Sequence, residues 1–208
     1  MGSITRSFAN NILTAGKFDG TKLTGDIPQA NLTANAPAFD DNKIVNDLST
    51  LGLRVHTQEN LAASNTNSQY VDVFQDSTGY TNGANTARNA SEYVSITDVS
   101  ANATGSYEST ATTISSAVTQ MGVVALVKNA AGTATLNTDI KISVSANNGT
   151  NFTQVTLTST GQVLSTGLNT IISDKVTVTS GTQLKYKVEF ANQGASKSTE
   201  LHGISLIY

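Results

Sequence analysis

The segment QLKYKVEFA, residues 183–191, limits most strictly what this chain can become. Leu184, Tyr186, Val188 and Phe190 alternate with Lys185, Lys187 and Glu189. A period of two puts the first set on one face of an extended strand and the charges on the other, a solvated one. DIKISVSAN, residues 139–147, follows the same rule, with Ile140, Ile142 and Val144 opposite Lys141, Ser143 and Ser145. Asn147-Asn148-Gly149-Thr150 reads as a turn, because asparagine and glycine accept positive φ. FTQVTLTS, residues 152–159, is expected to return as the second strand of a hairpin. DKVTV, residues 174–178, is a short strand, and ELHGISLIY ends the chain with period two around Ile204, Leu206 and Tyr208. TQMGVVALVK, residues 119–128, is a near-continuous apolar run and predicts a central strand covered on both faces. Upstream, QYVDVFQD (69–76) and EYVSITDV (92–99) have strand composition, with turn signals at Gly79 and Asn82-Gly83. Residues 84–91 give no clear signal, and 100–113 read as a long loop with a poor edge strand. Six to nine strands without intervening helices predict a mainly β domain over 69–208, an antiparallel β-sandwich of jelly-roll type.

One stretch has the other period. Within DDNKIVNDLSTLGLRVHTQENLAASNT, residues 40–66, Ile44, Leu48, Leu51, Val55 and Ala62 form a single helical stripe, interrupted by Gln58. Asp40 or Asp41 suits the N-cap. A helical segment over 39–68 is expected. Leu53 points opposite the stripe, with Leu61 and Val45 on its flanks. Apolar residues on several sides predict burial between two bodies, one the chain's own sandwich and the other a neighbouring subunit or larger assembly. Ile44, Leu48, Leu51, Val55, Leu53 and Leu61 are therefore the expected packing and oligomerisation residues.

Residues 1–38 hold no lasting period and are punctuated by Gly16, Gly20, Gly25, Pro28 and Pro37. Such a stretch cannot bury enough apolar surface to order itself alone. Yet Ile4, Phe8, Ile12, Phe18, Ile27 and Leu32 recur along it, as in an extended arm that lies along a partner.

Charged residues make up 13% of the chain, against about 25% in ordinary domains. Serine, threonine and asparagine take their place, giving a neutral surface suited to many weak hydrogen bonds. A net charge of −3 without a Lys/Arg cluster argues against nucleic acid as a partner. With no cysteine, disulfides and thiolate metal sites are excluded. The longest apolar run, Met121 to Val127, is far too short for a helical membrane span. No apolar signal core follows Arg6, so export by a cleaved signal is not expected.

The segments DDNKIVNDLSTLGLRVHTQENLAASNTNSQYVDVFQDSTG, TLNTDIKISVSANNGTNFTQVTLTSTG and SGTQLKYKVEFANQGASKSTELHGISLIY resemble virion appendage proteins of marine and freshwater tailed phages, including cyanophages. LTGDIPQANL, residues 23–32, is similar to segments of tailed-phage fibre stalks. The resemblance implies a virion location and a tail fibre or tail appendage, with a head-attached capsid decoration protein as the alternative. It implies a homotrimer, attachment to other virion proteins through residues 1–38, and contact with a host surface glycan.

Catalytic chemistry finds no pattern here, and neither a cofactor nor a metal is expected. His56 and His202 are read as ordinary hydrogen-bonded histidines. A polysaccharide-degrading enzyme, the minor alternative, would need two facing carboxylates. Asp72, Glu92, Glu108, Glu189 and Glu200 carry no spacing that pairs them, and Asp72 in YVDVF is read as structural. Of the aromatic residues that could stack on sugar rings, Tyr70 and Phe74 are assigned to the core. Tyr80 and Tyr107, in expected loops, are the ligand candidates.

Overall fold

A computed structural model of the chain describes residues 13–14, 17–18, 41–63, 68–81, 83–164 and 167–208. They fall in two units, 1–40 and 41–208. In the first, β1 (Leu13–Thr14) pairs antiparallel with β2 (Lys17–Phe18). The rest of the expected arm, and the cap expected at Asp40, lie outside the described residues.

The second unit opens with α1 (Asp41–Ala63), inside the 39–68 expected; 39–40 and 64–67 lie outside the described residues. Then come β3 (Gln69–Asp72), β4 (Tyr80–Thr81), β5 (Thr86–Asn89), β6 (Tyr93–Ile96), β7 (Ala103–Ser109) and β8 (Thr112–Ala131). After these follow β9 (Ile140–Ser145), β10 (Thr153–Gln154), β11 (Leu157–Leu164), β12 (Leu168–Ser173), β13 (Val176–Gln193) and β14 (Ser198–Ile207). All pairings between these strands are antiparallel.

Two sheets result. The first runs β11–β12–β8–β14, with β3 and the β6–β5 hairpin sharing the far edge of β14. The second runs β10–β9–β13–β7–β4. From β7 onward the chain alternates between them, as in a jelly roll: β7 in the second, β8 in the first, β9 in the second, β12 in the first, β13 in the second and β14 in the first. β8 and β13 also pair with each other through their N-terminal halves, Val176 opposite Met121 and Leu184 opposite Thr112, so the sheets are joined by a ribbon. Among the described residues the fold is an antiparallel β-sandwich, as period two predicts, with one helix.

The apolar run in β8 is covered on both faces as expected. Val123, Ala125 and Val127 join Ile140, Ile142, Val144, Tyr186, Val188 and Phe190 between the sheets. Val124 and Leu126 face outward, where they meet Leu53 of α1. Burial of such side chains is worth about 1.5–3 kcal/mol each before chain entropy is subtracted.

Two expectations need correction. The hairpin after β9 is brief: Thr153 and Gln154 return opposite Val144 and Ser143, and the Val155 amide donates to the Ile142 carbonyl at 3.0 Å. The chain then crosses over, and Leu157–Leu164 pairs with β12 in the first sheet. The turn itself is as expected, with φ of 60° at Asn148 and 77° at Gly149. Within residues 100–113, expected to be a long loop with a poor edge strand, Ala103–Ser109 form β7, a full strand between β13 and β4 with Ala103, Gly105, Tyr107 and Ser109 buried.

Candidate functional site on the two-faced helix

One face of α1 is seated on the first sheet. Ser49, Leu53, Thr57 and Leu61 recur every fourth residue and are at most 8% exposed. The two hydroxyls are satisfied locally, Ser49 Oγ donating to the Val45 carbonyl and Thr57 Oγ1 to the Leu53 carbonyl, each at 2.7 Å. Their small size lets the helix lie close to the strands. Leu53 fits over Gly203 of β14, where a Cβ would stand 2.8 Å from Leu53 Cδ2. Val71, Val73, Leu164 and Ile172 complete its socket. At one end Asn46 Nδ2 donates to the Ser91 carbonyl at 3.4 Å.

The opposite face is apolar and open. Ile44, Leu48, Leu51 and Val55 are 44%, 57%, 58% and 48% exposed. Ala62 is exposed in line with them, and Val45 is half-buried at the flank. The six expected packing residues thus divide: Leu53 and Leu61 are buried on the side of its own sandwich, and the other four form an exposed stripe. Exposing four large apolar side chains in a row costs solvation free energy that a partner surface would recover.

The ligand candidates fare differently. Tyr107 is fully buried, because it sits on β7 rather than in a loop, and this corrects its assignment as a sugar contact. Its ring packs edge-on against Phe74, Tyr80 and Tyr186 at 5.8–6.0 Å. Burial, and then the nearby Asp72 charge, push its hydroxyl pKa well up. Tyr80 is half-buried against Tyr107 on β4, with one side of its ring engaged. Tyr70 packs at the margin of the same core and Phe74 inside it, as expected.

Acidic groups act as internal ties. Asp72 accepts from the Tyr186 hydroxyl at 2.5 Å and from the Phe74 amide at 3.1 Å, which bears out its structural reading. Asp139, which the sequence did not single out, accepts from Lys197 at 2.8 Å, Asn192 at 2.8 Å and the Thr135 amide at 2.9 Å. The Lys197 bond leads in holding its carboxyl at about 2. Glu200 meets His202 at 2.9 Å and Lys128 at 3.4 Å, while Tyr93 stacks on the His202 ring. Burial lowers the pKa of His202 in spite of Glu200. His56 meets Glu59 one helical turn on at 3.1 Å, so both histidines are hydrogen-bonded and lie in separate clusters. Lys185 pairs with Glu108 and Lys187 with Glu189 on the outer face of the second sheet.

An open groove of about 700 Å³ lies along the N-terminal half of β8, lined by residues 113–120 together with Ser68, Lys175 and Tyr208. Its hydroxyls and amide offer hydrogen bonds in both directions. Most of its lining is one continuous stretch, 113–120, in which the sequence shows no motif. Among the described residues no three acidic or histidine side chains gather as metal ligands would, and no helix is long and apolar enough to cross a membrane.

No family model matches the chain, and no curated protein matches it. Solved structures with similar strand arrangement include a family two carbohydrate esterase from Cellvibrio japonicus, at 11% identity and TM-score 0.35. That match covers 67% of this chain and 33% of the esterase, so the chain spans about a third of that protein. The C-terminal CBM6 of LamC, a marine laminarinase from Zobellia galactanivorans, is matched in full by 68% of this chain at 10% identity and TM-score 0.40. CBM35 from Paenibacillus barcinonensis is matched over 98% of its length by 67% of this chain, at 14% identity and TM-score 0.39. Likeness this distant concerns the β-sandwich fold and carries nothing about what this chain binds.

Proposed function

We propose that this chain is a structural and interaction protein of a tailed-phage virion, a short tail fibre or tail appendage that acts by assembly and host-surface contact. The observation that carries this reading is the helix with two opposed apolar faces, one seated on the sandwich and one open. A helix of a self-sufficient monomer needs only the first. The phage-like sequence segments cover this helix, β3, β9, β10, β14 and most of β11 and β13. Asp72, Asp139 and Glu200 are engaged in holding the fold, which suits a binding role better than turnover. Host contact is assigned to the hydroxyl-rich groove beside Tyr208, where weak hydrogen bonds would add across copies. A capsid decoration protein is the second reading, favoured by the compactness of one sandwich and one helix as a surface knob.

Gold-labelled antibody against this chain, applied to intact particles under the electron microscope, tests the proposal. Label confined to the tail is the expected result. Label over the whole head would replace the tail reading with the decoration reading, and particles without label would overturn both.

A further inference from the structure

The open stripe of α1 carries a finer pattern than amphipathicity. Ile44, Leu48, Leu51, Val55, Gln58 and Ala62 are spaced 4, 3, 4, 3 and 4 residues apart. That spacing averages 3.5, as in the seam of a coiled coil, with Leu48, Val55 and Ala62 at a positions, Ile44 and Leu51 at d, and Gln58 as a polar d residue. Leu53 then falls at f, diametrically opposite the seam, and Leu53 is the residue locked into the sandwich. Packing on the sheet therefore fixes the rotation of the helix so that the seam points away from its own domain.

The flanks say what covers it. Arg54 stands at g and Glu59 at the e position of the next heptad, and both are exposed. In a parallel, in-register coiled coil the g residue of one helix lies beside the following e residue of its neighbour. Arg54 of one copy thus meets Glu59 of the next with opposite charge. Within one helix the two are five residues apart, too far around the turn to pair. The Glu59 side chain is 65% exposed, and His56 reaches one of its oxygens from its own helix, so the other can serve a neighbour.

We infer that copies of this chain associate through α1 as a parallel, in-register coiled coil, with Ile44, Leu48, Leu51 and Val55 in the seam and Arg54–Glu59 pairs along its flanks. This rests on the assembly reading above and supplies its partner and orientation. A short seam suffices because each helix is already ordered by its sandwich, so association need not nucleate it.

The full chain has no cysteine, so single cysteines report cleanly. Leu48→Cys and Val55→Cys, made separately and oxidised, are both expected to cross-link copy to copy. An antiparallel pair would bring at most one of these positions opposite itself. Light scattering should give a multiple of the 21.6 kDa chain mass. Arg54→Glu should weaken association about tenfold, and the exchange Arg54→Glu with Glu59→Arg should restore it. Leu48→Asp with Leu51→Asp should give single chains with unchanged β circular dichroism. An oligomer in which neither cysteine cross-links and the charge exchange has no effect overturns the seam and leaves the assembly reading standing. A monomer at all concentrations overturns the seam, and the gold labelling then decides the virion reading separately. Loss of β signal in the double aspartate variant also overturns it, since the stripe would then be part of the internal core.

Discussion

Hydroxyl side chains repair the ladder where strands change partners. β8 leaves β13 at Met121 and meets β12 at Val124, and in the gap the Val123 amide donates to Ser173 Oγ at 2.9 Å. β13 has a matching gap between β7 and β8, where the Tyr186 amide donates to Ser109 Oγ at 3.0 Å. An unmet buried amide costs about 1–3 kcal/mol, so these serines let long strands serve two neighbours in turn. Ser173→Ala should lower unfolding free energy by about 1–3 kcal/mol in a urea titration, against less than about 0.5 for an exposed serine such as Ser116. The richness in serine and threonine was legible as composition. Which hydroxyls are buried to close gaps was not, because each depends on a strand far away in the chain.

The helix depends on one close fit to its sheet. Leu53→Ala should cost about 2–5 kcal/mol by opening a cavity over β14, while Gly203→Val should cost about 1–3 kcal/mol by pushing on Leu53. Because the two side chains compete for one space, the double variant should be less destabilised than the sum of the single ones. Simple additivity in chemical denaturation would mean that the two sites relax independently. The helix and most strands were readable from period alone, and so was the presence of two apolar faces on α1. Which face would meet the sandwich was not readable. The longer apolar stripe belongs to the open side, whereas the seated side is half hydroxyl, its serine and threonine chosen for closeness. Tyr107 failed for a related reason: its small polar neighbours hide a strand whose inward positions are set by pairing with β13.

At the scale of the whole sandwich, the two sheets close over a tyrosine-centred interior. Burial holds both Tyr107 and Tyr186 well above the ordinary value of 10.0. The unfolded chain loses these protons near pH 10, and the folded one keeps them, so the stability they contribute is full below that pH and falls as pH rises beyond it. An alkaline titration followed by tyrosinate absorbance should show these two of the six tyrosines ionising together with loss of β circular dichroism. Reversible ionisation of all six with the fold intact would contradict the buried cluster. The way the chain joins helix to sandwich matters in another respect. Beyond α1 the backbone enters β3, whose Gln69–Asp72 lies antiparallel to Ile207–Ile204. Tension applied at Gln69 along β3 would load that strand lengthwise. Its four residue pairs with β14 would resist together, in shear, instead of parting one at a time as a hairpin unzips. A sandwich held through β3 would therefore withstand tension along that strand better than the same tension applied at a free sheet edge.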